Sequence, residues 1–203
     1  MKLPGRMKSV IVVSVFIILF LVFALPVTRA AEEDDGRKEL IITKTFEYLK
    51  DKKVKESEEK LRTIAGSVYE ESQRYDIDYR LILAVMKVES NFRHDAISRK
   101  GARGLLQVKP SLARYISKTS DIPVKNSKCL YEPEKNIKIG VNYLSRLIER
   151  FENIYTALHA YNAGPRRVKR NTSDDEIPNN RFTKKVIKEY QQIADILPDP
   201  EVE

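Results

Sequence analysis

Cysteine is almost absent from this chain of 203 residues: Cys129 stands alone, and histidine occurs only at His94 and His159. One thiol excludes an intramolecular disulfide, so packing has to hold the fold together. Cys129 reads as a small buried or half-buried residue, with no histidine near it in sequence to activate it. The same scarcity argues against a structural or catalytic zinc site, which draws on clusters of these residue types. No cofactor is called for, and no metal. Sustained two-residue alternation is missing too, and parallel-strand crossovers have no room, which leaves an all-α fold. There is no internal repeat, and the only biased segment is the acidic patch Glu32 to Asp35.

What is present begins with a leader. Lys2, Arg6 and Lys8 precede a run from Val10 to Leu25 that is apolar apart from Ser14, and Pro26 ends it. Thr28-Arg29-Ala30 presents a cleavage site, so residues 1–30 form either a signal peptide cut after Ala30 or an uncleaved N-terminal anchor. The run is slightly short of the roughly 20 residues of a comfortable membrane span. A lipoprotein needs a cysteine just after the signal, and none is there. An exported, periplasmic or envelope chain follows, with membrane attachment through this segment as the second possibility.

Setting aside the four leader cations (Lys2, Arg6, Lys8 and Arg29) takes the formal charge from +8 to about +4. The surplus gathers late, in Arg166, Arg167, Lys169 and Arg170, then in Arg181, Lys184, Lys185 and Lys188. Such runs form either a solvated face or a contact with an anionic polymer. Nucleic acid does not suit an exported chain.

Residues 31–58 are mostly charged and read as a linker with one amphipathic helix, a short stalk. Helical periodicity then defines a domain over 59–197, with 198–203 as a tail. Leu61, Ile64, Ala65, Val68 and Tyr69 predict a helix ending near Arg74. Asp76 and Asp78 offer caps for the next, Tyr79 to Ser90, in which Arg80 and Lys87 read as the solvent-facing residues. A third helix starts at Pro110 or Ser111. Asn136 is expected to cap a fourth, whose stripe runs from Ile137 to Phe151. A fifth covers Ile154 to Ala163 and stops at Gly164 and Pro165. The last covers Arg181 to Ile196.

In the second helix Ile82, Val85, Met86 and Glu89 stand at i, i+3, i+4 and i+7, so a carboxylate shares a face with three apolar side chains. Loss of hydration there raises its pKa, as a proton donor working near neutrality requires. A salt-bridged or helix-closing glutamate is the plainer alternative. The loop after it is rich in small residues, Gly101, Ala102 and Gly104, that let backbone approach closely. Farther on, Tyr161 and Asn162 bring an aromatic and an amide, types that stack on sugar rings and hydrogen-bond acetamido groups.

Four segments in order resemble the soluble lytic transglycosylases, whose catalytic domain is a lysozyme-like helical fold. They are Glu89-Ser90-Asn91-Phe92, Ser98 through Gln107, Asn142-Tyr143-Leu144 after Gly140, and Ala160-Tyr161-Asn162-Ala163-Gly164. The resemblance covers about Glu59 to Val168. It implies that Glu89 is a single acid/base and that Ser98, Gln107, Tyr143 and Tyr161 line a glycan groove supported by Asn162. Leu106 stands where methionine is common, Lys109 where an apolar residue is common, and His159 where a small residue is common, departures that bear on subsite preference.

Most glycosidases use two carboxylates. Asp95 is the nearest second acid in sequence and reads as a solvated or turn-capping residue. With Glu89 alone, the 2-acetamido group of N-acetylmuramic acid has to act as nucleophile and its C6 hydroxyl closes a 1,6-anhydro ring. Peptidoglycan glycan strands are the implied partner, and a lysozyme-like hydrolase and a catalytically silent glycan-binding or assembly protein remain the alternatives. His94 and His159 read as a surface and a packed residue. The segment from Gly36 to Glu58 and the basic tail are the expected places for wall, envelope or secretion-machinery contacts.

Overall fold

The computed structural model describes residues 35–168 and 180–200. The leader, most of the acidic patch, Lys169 and Arg170 lie outside the described residues. Helix α1 is described over 35–51. Ile41 onward forms one compact unit, from which the preceding residues group apart. In that unit follow α2 (Glu58–Tyr75), α3 (Tyr79–Ser90), α4 (Pro110–Thr119), a short 3-10 turn (Ser127–Tyr131), α5 (Pro133–Phe151), α6 (Ile154–Ala163) and α7 (Arg181–Ala194). Among the described residues the only extended pairings are isolated bridges at Ile97, Arg103 and Val108.

The helix ends follow from side chains at their first turns. Ser57, Asp78, Asn153 and Asn180 each accept a backbone N–H at the start of α2, α3, α6 and α7. Pro110 and Pro133 open α4 and α5, where a missing N–H costs nothing. Asp76 does not cap α3 but closes α2 in the left-handed region, at φ 51°.

Helix α3 is the core element. Every residue from Tyr79 to Met86 is buried, with α7 packed along it. α2 packs on α5, and α5 carries α6. Arg80, expected in solvent, is buried as well. It donates to both carboxylate oxygens of Asp78 at 2.7–3.0 Å and to Asp199 at 3.1 Å. Tyr190 of α7 also donates to Asp78, at 2.7 Å. A buried guanidinium is tolerable only with such partners. Tyr79 Oη donates to the carbonyl of Pro198 at 2.6 Å, so the chain past α7 is bound back onto α3.

The core also begins earlier than the periodicity from Glu59 implies. Ile41, Thr45, Tyr48 and Leu49 stand at i, i+4, i+7 and i+8 of α1 and are all buried. These residues face the core, where the sequence suggested a stalk free for partner contacts.

Asn136 does not cap α5. Pro133 starts that helix a turn earlier, with Glu132 as its N-cap, and Asn136 is buried within the first turn. Its Nδ2 donates to the carbonyls of Arg103 at 2.8 Å and Leu130 at 2.7 Å, while Oδ1 accepts from Leu106 N at 2.8 Å. One side chain thus ties the 96–108 loop to α5. Gly104 (φ +75°) passes so close that a Cβ there would lie 2.2 Å from Asn136 Nδ2 and 2.3 Å from the Leu130 carbonyl oxygen. Asn136→Ala leaves the Leu106 N–H and the Leu130 carbonyl to find other partners, while the Arg103 carbonyl keeps the Val108 N–H. At about 1–3 kcal/mol per unsatisfied buried group, the expected loss is roughly 3–5 kcal/mol, read as a lower urea midpoint with an unchanged m-value.

Candidate active site

Glu89 lies in the last turn of α3, half-buried where residues 79–86 are sealed. The chain leaves the helix through two consecutive left-handed residues, Asn91 (φ 54°) and Phe92 (φ 62°). Phe92 drops into the core, edge-on to Tyr48 with ring centroids 6.1 Å apart, and that anchor holds the strained turn. The loop that follows is closed on itself. Ser98 N donates to the Ala102 carbonyl at 2.9 Å, and Ser98 Oγ accepts from Ala102 N at 3.0 Å. Arg103 and Val108 exchange both backbone bonds, and Gly104 N donates to the Ala96 carbonyl at 2.9 Å. Gln107 Nε2 donates to the Gly104 carbonyl at 2.9 Å and to Ala96 at 3.3 Å.

Opposite the loop stand two tyrosines from different helices. Tyr143 of α5 and Tyr161 of α6 lie with ring centroids 5.5 Å apart at 45°. Tyr161 Oη donates to the Leu106 carbonyl at 2.8 Å, joining α6 to the loop. Gly140, one helical turn before Tyr143, seats Leu106: a Cβ at Gly140 would lie 2.5 Å from Leu106 Cδ1. Loop, α5 and α6 are therefore locked through Leu106 by its N–H, its carbonyl and its side chain.

Glu89, Ser98, Gln107, Tyr143, Tyr161 and Asn162, read from sequence as site residues, all line one cleft of about 890 Å³. Glu89 is the only carboxylate among the described lining residues, and it forms no ion pair or hydrogen bond with them. No described residue salt-bridges it, and the helix end is closed by Asn91 N donating to the Lys87 carbonyl. Burial alone pushes the Glu89 carboxyl up to about 7. Burial, and then the negative charge of Glu89, push the Tyr161 hydroxyl well above its ordinary range, and burial raises Tyr143 likewise. Asp95 is exposed and does not line the cleft.

Sequence reasoning missed part of this wall. Arg99, Lys100, Lys109, Arg166 and Arg167 surround the single acid, and Leu112 and Pro165 form an apolar side. The basic run after the fourth motif was a signal for Arg166 and Arg167, whereas nothing in the sequence points to Leu112. Arg181, Lys184, Lys185 and Lys188 gather on α7 around a separate hollow. His94 also sits away from the cleft. It is half-buried, paired through Nδ1 with Glu56 and 3.3 Å through Nε2 from Lys60 Nζ, rather than a free surface histidine. Cys129 is buried, its thiol donating to the Asn126 carbonyl, and His159 is half-buried on α6.

Comparison with known proteins agrees with this geometry. The chain is 36% identical over 116 residues to the membrane-bound lytic murein transglycosylase C of Edwardsiella ictaluri, a match covering 52% of this chain and 32% of that protein. It is 38% identical over 96 residues to the soluble lytic murein transglycosylase of Salmonella typhimurium, covering 46% and 15%. The chain thus spans about a third or less of the length of these relatives. Among solved structures, an inactive mutant of the lytic transglycosylase Slt from Pseudomonas aeruginosa superposes with TM-score 0.58 at 28% identity, over 66% of this chain and 25% of that one. The 70 kDa soluble lytic transglycosylase of Escherichia coli shares the fold at 24% identity and the same TM-score. The model of the transglycosylase SLT domain matches residues 67–182, more than half of the sequence, and the chain belongs to that lysozyme-like family.

Proposed function

We propose that this domain is a peptidoglycan lytic transglycosylase, cleaving the β-1,4 bond between N-acetylmuramic acid and N-acetylglucosamine and leaving a 1,6-anhydromuramic end. The observation that carries this is a lone, half-buried carboxylate raised to about 7, facing a long cleft with no second acid among the described lining residues. A paired-carboxylate mechanism has no partner there.

In the first step protonated Glu89 gives its proton to the bridging oxygen as the C1–O bond breaks, and the 2-acetamido oxygen of the muramic residue bonds to C1. In the second step the Glu89 carboxylate takes the proton of the C6 hydroxyl, O6 bonds to C1, and the acetamido oxygen leaves. The proton returns to Glu89 and no water enters. A carboxyl raised to about 7 serves both steps near neutrality. Ser98, Gln107 and Asn162 offer polar groups to the acetamido and hydroxyl substituents, and the tilted Tyr143–Tyr161 pair offers ring faces to the sugars.

The basic, apolar leader supports action in the cell envelope, either after cleavage at Ala30 or from an anchor. No helix among the described residues is long and apolar enough to cross a membrane.

Mass spectrometry of muropeptides released from purified peptidoglycan tests the reaction. Products one water lighter than hydrolysis products are expected from the wild type, and Glu89→Gln is expected to lower their yield about a hundredfold to ten-thousandfold. Reducing-end products would make the enzyme a hydrolase. The first step needs the proton, so kcat/KM is expected to fall as pH rises through about 7. Stability follows the same group. Between the ordinary glutamate value of 4.5 and about 7 the folded chain keeps a proton that the unfolded chain releases, so wild-type stability declines as pH rises across that window. Glu89→Gln lacks this decline and is expected to gain on the wild type at pH 8, on the order of 1–3 kcal/mol by denaturant unfolding.

A further inference from the structure

Past Tyr143 lies a second hollow of about 490 Å³, walled by Ser111, Leu112, Tyr115, Arg146, Arg150 and Pro165. Tyr143, Leu112 and Pro165 line both spaces, so the two are adjacent. Tyr115 is 54% exposed on α4, a helix whose buried residues are Ala113 and Ile116. Scattered exposed aromatics are ordinary, but this one lines a hollow beside the cleft.

The two arginines of the hollow differ in what they have left to give. Arg146 is committed, donating to Thr119 Oγ1 at 2.9 Å, the Thr119 carbonyl at 3.0 Å and Ser120 Oγ at 2.6 Å. Its guanidinium lies 5.8 Å from the Tyr115 ring centroid and steadies that ring. Arg150 is exposed and lies 5.3 Å from the Phe151 ring centroid, with no ion pair to any described residue. No carboxylate lines the hollow among the described residues. The space therefore joins a fixed aromatic face, an apolar floor of Leu112 and Pro165, and an unneutralised guanidinium.

We propose that this hollow is a further subsite of the cleft, which seats a sugar ring against Tyr115 and takes the carboxylate of that sugar's substituent on Arg150. The inference rests on the glycan reading above. The C–H face of a pyranose matches a tyrosine ring, and a planar guanidinium holds a carboxylate through two parallel hydrogen bonds. In a murein strand the carboxylate comes either from the stem peptide or, where the peptide has been removed, from the lactyl group itself.

Binding is measured in the otherwise intact chain carrying Glu89→Gln, which separates affinity from turnover. The probes are peptide-bearing glycan strands, strands stripped of peptide by an amidase, and chito-oligosaccharides, which have the rings without any carboxylate. Adding Tyr115→Ala is expected to weaken all three about fivefold to tenfold. Adding Arg150→Gln is expected to weaken peptide-bearing strands by about that factor and chito-oligosaccharides by less than twofold. Loss only on the peptide-bearing strands assigns the carboxylate to the stem, and loss on the stripped strands as well shows that Arg150 also takes the lactyl carboxylate once the peptide is gone. Both residues are exposed, and unchanged thermal unfolding checks that the variants fold. Affinities within twofold for every probe, or equal loss on chito-oligosaccharides with Arg150→Gln, overturn the subsite. Failure of the reaction itself shows separately, as absence of anhydro products from the wild type.

Discussion

Burying α3 on every side from Tyr79 to Met86 leaves its last turn as the one place where a polar group can sit at the edge of the core. Glu89 occupies that place with neither a counter-charge nor a hydrogen-bond donor among the described residues, so the cost of desolvating its anion is not offset. The carboxyl responds by holding its proton up to about 7. The rest of the domain supports this arrangement. The Arg80 cluster and α7 seal the first turns of the helix, while Phe92 holds the strained exit that aims the chain into the loop.

The loop facing Glu89 is anchored by the buried side chains of Leu105, Leu106 and Val108 and is positioned by hydrogen bonds from two helices. Asn136 supplies three of them from inside α5, and Tyr161 supplies a fourth from α6. Close approach at Gly104 and Gly140 makes those bonds reachable. Two glycines and one buried amide thus bring three separate elements to one cleft wall, which accounts for site residues as distant in sequence as Glu89 and Asn162.

Charge around the cleft is distributed unevenly. Five cationic side chains rim a space with one acid, and that acid is half-buried while Arg99, Lys100, Arg166 and Arg167 are exposed or at the surface. Water screens the rim far more than the interior, so the cations leave the buried carboxyl unneutralised. Arg150 continues this positive rim beyond Tyr143.

The local content of the chain was legible without coordinates. Helix α3 and helix α6 lie where period and caps placed them, and Glu89, Ser98, Gln107, Tyr143, Tyr161 and Asn162 line one cleft. Periodicity and capping are short-range properties, set by residues within a turn or two of each other. Other features depended on distant contacts. Arg80 looked solvent-facing because its partners include Asp199, far along the chain. Residues 41–49 looked like part of a stalk because charge dominates the 31–58 segment that holds them, while their apolar face needs the rest of the core to be recognised. Asn136 looked like a cap because the donors and acceptors it serves, at 103, 106 and 130, come near it only after the chain has folded. The sequence determined which residue types stand on which helix face, and tertiary packing alone decided which polar groups lose water and which find partners.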